Sequence, residues 1–230
     1  MFFRIQLSQK LIESMTLAAL EAYVLGDSVN AGSRKRNKSV ETFGYIWGVK
    51  RCIGDGEIVI YLDRSSTSIS AEKNNRYVTP NKSAAKIKNT LINLWSPHLS
   101  FLGSFHTHPY RDLREVKDCR GWEFSEADLD AFDCDDFLWG ESGDNPVDLV
   151  MTVCKLQRIR EKFNAETIDD NICCFDACEF RFWINVNVGY TDGRGIRYQT
   201  YNNKKGKVML DIDNYFYNSK FVEKIYDNIL

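Results

Sequence analysis

Apolar residues recur along this chain at two different periods, and the changes of period mark out its elements. Over residues 10–25, Leu11, Ile12, Met15, Ala19 and Ala22 form a stripe at helical spacing that Gly26-Asp27 closes. Residues 42–49 and 58–62 read as strands, joined by Gly54-Asp55-Gly56, whose two glycines suit a hairpin turn. Residues 76–78 give a further short strand. Thr79 then offers an N-cap and Pro80 a first helical residue, predicting a helix with Ala84, Ile87, Leu91, Leu94 and Trp95 on one face and its end at Pro97.

Residues 99–105 read as a buried strand, followed by a long loop and a short helix from Ser125 to about Asp133. Residues 147–156 form another strand. Residues 180–190 alternate well enough to be a half-buried one. Asp192-Gly193 turns the chain toward a strand at 196–201, and 202–206 turns it again into 208–213, a C-terminal β-meander. Phe221, Val222, Ile225, Tyr226 and Ile229 end the chain on an amphipathic helix. There is no repeat and no clear linker, so the expected fold class is α+β, with residues 1–230 as one domain.

A chain of 230 residues is long enough to bury a sizeable core. The net charge of −2 gives no general electrostatic reason to bind nucleic acid or an anionic membrane, so neither is expected as a partner. Seven cysteines is an odd number, they lack paired C-x-x-C spacing, and several lie in apolar runs. They read as reduced thiols, which points to a cytoplasmic location. Met1 to Gln6 lacks the basic and long apolar regions of a secretory signal, and no stretch is apolar for long enough to span a bilayer.

The chemistry concentrates at Gly103-Ser104-Phe105-His106-Thr107-His108-Pro109. On a strand, His106 and His108 project to the same face, and Pro109 is expected to end the strand behind them. Imidazole is a good zinc donor, and two histidines with one carboxylate leave a position open for water, as catalytic zinc sites do. Ser125 and Asp128, three apart at a helix start, share a face. Ser-x-x-Asp is equally a helix-capping pattern.

Taken together, H-x-H-P followed by S-x-x-D resembles the signature of the JAB/MPN family of JAMM-motif zinc metalloproteases. Glu41-Thr42-Phe43-Gly44-Tyr45-Ile46-Trp47-Gly48 looks like the family's upstream glutamate with its glycine-punctuated first strand. The resemblance covers about residues 8–156, leaving about 157–230 as an elaboration. It implies an MPN/JAB-like (cytidine-deaminase-like) mixed sheet flanked by helices, with the C-terminal meander and helix as an extension. It further implies one Zn²⁺ per chain on His106, His108 and Asp128, with Glu41 as general base and Ser125 helping to stabilise the oxyanion.

The implied substrate is the C-terminal tail of a ubiquitin-like protein or its conjugate, cut at a peptide or isopeptide bond. The compact chain looks most like the prokaryotic branch, whose members release or mature such modifiers, some within antiviral defence operons. Two alternatives stand beside this: a non-catalytic MPN scaffold, and a JAB metallopeptidase with a different protein substrate. One departure from the family pattern is the much longer connection from Pro109 to Phe124. Its Trp122 and Phe124 either line a pocket for an extended tail or anchor the connection to the domain. A calcium loop starting at Asp128 is excluded because Phe132 stands where an oxygen ligand is needed and the required glycine is missing. The basic run 34–38 reads as a solvated loop, and Cys173, Cys174 and Cys178 read as strand core.

Overall fold

A computed structural model of the chain describes residues 1–26, 39–54, 56–73, 78–158, 165–201 and 206–212. Its first part runs β1 (Phe2–Leu7), α1 (Gln9–Leu25), β2 (Phe43–Gly54), β3 (Glu57–Thr67), β4 (Glu72–Lys73), β5 (Val78–Thr79) and α2 (Lys82–Trp95). Next come β6 (Ser100–Asp112), α3 (Leu113–Asp118), α4 (Glu126–Cys134), α5 (Asp136–Glu141) and β7 (Val147–Lys155). β8 (Glu166–Asp169), β9 (Ile172–Ala177), β10 (Phe180–Thr191), β11 (Arg197–Gln199) and β12 (Lys207–Asp211) complete it.

One mixed sheet organises these elements, in the order β12-β1-β3-β2-β6-β7-β10-β9-β8, with β11 paired to β10. β1 runs parallel to both its neighbours and β6 runs parallel to β7, while the remaining pairs are antiparallel. The sheet curls until its ends approach each other. The Leu210 amide of β12 donates to the Asp170 carbonyl in the β8–β9 turn at 2.7 Å. α1 packs against one face. Ser8 caps its start by accepting from the Leu11 amide, and Leu11, Ile12, Met15 and Ala19 are buried among Phe3, Ile60, Met151 and Ile184. Burying a side chain such as Leu11 or Met15 contributes about 1.5–3 kcal/mol. α2, α4 and α5 lie on the other face, around Tyr45, Trp47, Phe101, Phe132 and Trp139.

A bulge in β6 decides which face receives the histidines. Ile46 pairs with Gly103 and Trp47 with Phe101, so Leu102 is an extra residue that resets the alternation. Leu102 and Phe105 therefore enter the α1 core, while Phe101 packs with Trp47 on the opposite face. Ser104 and His106 open into a cavity on that opposite face. A Cβ on Gly103 would overlap the Val147 carbonyl, so the close approach of β7 requires glycine there.

Several elements differ from the sequence expectation. β1 carries no long pattern of its own, yet it sits inside the sheet between β12 and β3. Pro109 does not end the histidine strand: β6 continues to Asp112, paired with β7. The last β2–β6 pair is Phe43 with His106, so beyond Thr107 one side of β6 is an edge, where a residue without an N–H is tolerated. The expected loop after it contains α3.

α2 begins at Asn81, not Thr79, because the Asn81 side chain accepts from the Ser83 and Ala84 amides. Its buried residues are Ala85 and Ile92, while Ile87, Leu91, Leu94 and Trp95 are 63%, 40%, 73% and 69% exposed. Polar contacts set this rotation. The Trp47 indole donates to Asn89 at 3.0 Å, and Lys88 Nζ donates to the Thr67 carbonyl at 2.6 Å.

β10 is buried along nearly its whole length instead of by halves. Its inward amides are satisfied, Asn185 by the Trp122 carbonyl and Asn187 by Gln199. The C-terminal meander stops at β11, since β12 crosses to the opposite edge and pairs in parallel with β1. The basic run 34–38 and the expected C-terminal helix lie outside the described residues. The cysteines are free. Cys173 and Cys174 are buried in β9 as expected, but Cys178 is not strand core: it is exposed in the turn between β9 and β10, with a positive φ of 55°. Among the described residues, no helix is long and apolar enough to cross a membrane.

Candidate metal centre

Parallel pairing of β6 with β7 places Ser104 beside Asp148, His106 beside Val150 and His108 beside Thr152. β2 flanks β6 on its other side. The Thr107 amide donates to the Thr42 carbonyl at 3.0 Å, and the Thr42 amide donates to Thr107 Oγ1 at 2.8 Å. This double tie fixes the entry to β2 where Glu41 meets the histidine face. Opposite it stands the N-terminus of α4.

The first turn of α4 is a complete capping box. Ser125 Oγ accepts from the Asp128 amide at 3.2 Å, and Asp128 Oδ2 accepts from the Ser125 amide at 2.8 Å and from Ser125 Oγ at 2.7 Å. The same carboxylate faces both imidazoles. Asp128 Oδ1 lies 3.4 Å from His106 Nε2, and Oδ2 lies 3.4 Å from His108 Nε2. Capping α4 and facing the two imidazoles are thus two tasks of one side chain, held where the helix terminus favours negative charge.

The donor set fits a metal ion. Ligand atoms from His106, His108 and Asp128 all lie within 4.8 Å of one another. Donors bound to a tetrahedral zinc stand about 3.3–3.5 Å apart, which follows from bond lengths of about 2.0–2.2 Å. Each imidazole Nε2 stands at about that separation, 3.4 Å, from a different oxygen of the Asp128 carboxylate. His106 Nε2 is also a buried polar atom with no hydrogen-bond partner, which a protein interior rarely tolerates. Charge points the same way. Burial works to lower the His106 pKa, but the Asp128 and Asp148 carboxylates outweigh it and push it up to about 10. Burial likewise works to raise Asp128, but the two imidazoles hold its carboxyl far below the usual range. A divalent cation held there would supply the positive charge that Asp128 otherwise draws from the imidazoles.

Glu41, His106, Ser125 and Asp128 share the wall of one cavity of about 190 Å³. Burial raises the Glu41 pKa, while the imidazoles of His108 and His106 pull it down and Asp128 adds to the rise. The result is a carboxylate poised above its ordinary range, as suits a general base.

The remaining candidates sit differently. Phe124 is 6% exposed, clustered with Leu129 and Val150, and its ring meets Tyr201 edge-on at 5.4 Å. Trp122 stacks on Trp183 with centroids 6.2 Å apart, beside Val116 and Cys154. Both rings tie the segment after α3 to the sheet. Between them and the histidines, the Gly121 carbonyl accepts from Thr152 Oγ1 at 2.8 Å and lies 3.4 Å from His108 Nδ1. Sequence reasoning passed over Asp148 and Ser104, which line the same cavity. The available signal was an acidic residue inside the otherwise apolar run Val147-Asp148-Leu149-Val150.

No protein-family model matches the chain, and no curated protein matches it.

Proposed function

We propose that this chain is a zinc-dependent metallopeptidase that hydrolyses a peptide or isopeptide bond in the C-terminal tail of a ubiquitin-like protein. One observation carries the chemical part of this reading. Ligand atoms of two strand imidazoles and a helix-start carboxylate come within 4.8 Å of one another, and the half-buried Glu41 lines the same cavity as His106 and Asp128. The substrate class rests on the H-x-H-P and S-x-x-D resemblance.

His106, His108 and Asp128 hold the ion. Zinc bound there would polarise the scissile carbonyl and lower the pKa of a water from 15.7 to about 7. Glu41 takes the proton from the attacking water and delivers it to the leaving amine. Burial raises its pKa above the ordinary carboxylate value, the direction that makes a carboxylate a stronger base. Ser125 holds Asp128 through two hydrogen bonds, its hydroxyl donating to Oδ2; to meet the negative charge that develops on the carbonyl oxygen, that hydroxyl would turn its single proton from Asp128 to the substrate.

A ubiquitin-like protein extended past its C-terminal tail is the substrate for the test, with zinc content measured in parallel. Glu41→Gln retains one zinc and loses about 10²–10⁴ in rate. His106→Ala loses both metal and activity. Wild-type protein without stoichiometric zinc, or a Glu41→Gln variant with normal turnover, refutes the proposal.

A further inference from the structure

Asp148 is a buried acid in a strand whose other inner positions are apolar or hydroxyl-bearing. A carboxylate in such a place costs several kcal/mol unless something compensates it. Among the described residues, two groups do so. Ser104 Oγ donates to Oδ1 at 2.9 Å, and His106 Nδ1 lies 3.9 Å from Oδ2. The parallel register produces this arrangement, because Ser104 and Asp148 are partners one step along the same face from His106.

His106 is thus bracketed by two carboxylates, one facing each ring nitrogen. Nε2 faces Asp128 at 3.4 Å, and Nδ1 faces Asp148. At 3.9 Å the Asp148 carboxylate acts on Nδ1 through charge and not through a direct hydrogen bond; it favours the proton on Nδ1 and so leaves the lone pair on Nε2, the form a metal ligand must have. His108 makes an instructive contrast. Its Nδ1 faces only the Gly121 carbonyl, 3.4 Å away, which Thr152 already engages.

We infer that Asp148, held in place by Ser104, is a positioning residue that fixes the tautomer and ring orientation of His106 for metal binding. The inference rests on the metal-centre reading above. Partners of this kind behind a ligating histidine typically change metal affinity by about 10–100-fold when removed.

The experiment measures zinc dissociation constants by competition with a chromophoric chelator, at a temperature where every variant is folded. The set comprises wild type, Asp148→Ala, Asp148→Asn and Ser104→Ala, and the metal-stripped forms are also melted. Asp148→Ala binds zinc about 10–100-fold more weakly. Asp148→Asn falls between it and wild type, because the amide keeps an oxygen dipole facing Nδ1 and an acceptor for Ser104 but loses the charge. Ser104→Ala shifts affinity in the same direction by less. Zinc affinity of Asp148→Ala within twofold of wild type overturns the inference, including where the stripped variant melts lower, since that is a purely structural role. Should Asp148→Ala fail to fold, Asp148→Asn decides, and wild-type affinity in that variant overturns the inference. A wild-type protein that takes up no zinc in the same titration removes the metal reading itself, and the inference with it.

Discussion

Asp128 both caps α4 and faces the two imidazoles, and two substitutions separate these tasks. Ser125→Ala removes the hydroxyl that accepts from the Asp128 amide, while the carboxylate stays. Losing an N-cap of this kind costs about 1 kcal/mol. In a chain of 230 residues, that corresponds to about 2–4 °C in melting temperature. Zinc held at a hundredfold over its dissociation constant stabilises the folded state by about 2.7 kcal/mol, or roughly 5–11 °C on the same scale. Wild type therefore melts roughly 5–11 °C higher in zinc than in chelator. Ser125→Ala melts about 2–4 °C lower in both conditions but keeps most of that zinc increment. Asp128→Ala loses the cap contact and most of the increment together. Scanning calorimetry of the three proteins at pH 7, stripped and zinc-loaded, reads all six values. An Asp128→Ala protein that keeps the full increment would show that the carboxylate is not the third ligand, and a Ser125→Ala protein that loses it would show that the two tasks are not separable, because the hydroxyl bond to Oδ2 is then needed to hold the carboxylate.

In the metal-stripped protein, burial raises the Glu41 pKa above its ordinary 4.5, so an NMR titration of its carboxyl should read above that value, and a reading at or below it contradicts the half-buried placement beside Asp128. In the metal-stripped protein, His106 is raised from 6.5 to about 10, so its contribution to stability is present in full below pH 6.5 and is lost as pH rises toward 10. Asp128 is depressed from 3.8, so its contribution is present above that pH and is lost in acid. Urea unfolding across pH should show both slopes, and the alkaline one should vanish in His106→Asn. Phe124→Ala and Trp122→Ala each remove a packed ring and should cost about 3–5 kcal/mol with kcat/KM unchanged in the cold. Unchanged melting with a lowered kcat/KM would instead make these rings substrate contacts. Leu94→Lys and Trp95→Lys, at exposed positions of α2, should alter stability by no more than about 0.5 kcal/mol, and a large loss would contradict the observed rotation of the helix.

Local pattern was enough for α1, because its stripe of Leu11, Ile12, Met15, Ala19 and Ala22 is also the face that the sheet covers. β7 and the start of α4 were legible for the same reason: an apolar run and a capping pattern are short-range properties. α2 was misread because periodicity reports an apolar face without reporting what lies opposite it. There the bonds from Trp47 to Asn89 and from Lys88 to the Thr67 carbonyl override the apolar stripe. β1 and β12 have too little pattern of their own, and their parallel pairing joins residues about as far apart as the described chain allows.

The same division runs through the metal centre. Residue type and i, i+2 spacing named His106 and His108, because donor chemistry and strand geometry are local, while Asp128 came from the resemblance of the whole H-x-H-P and S-x-x-D pattern, since Ser-x-x-Asp alone is equally a cap. Which face the histidines take depends on the extra residue at Leu102, and that bulge exists only in the pairing of β6 with β2. Asp148 was invisible as a partner of His106 until the β6–β7 register set it beside Ser104. A sequence lists the groups able to bind a metal, but register and bulges are long-range agreements between strands, and they decide which of those groups share a face.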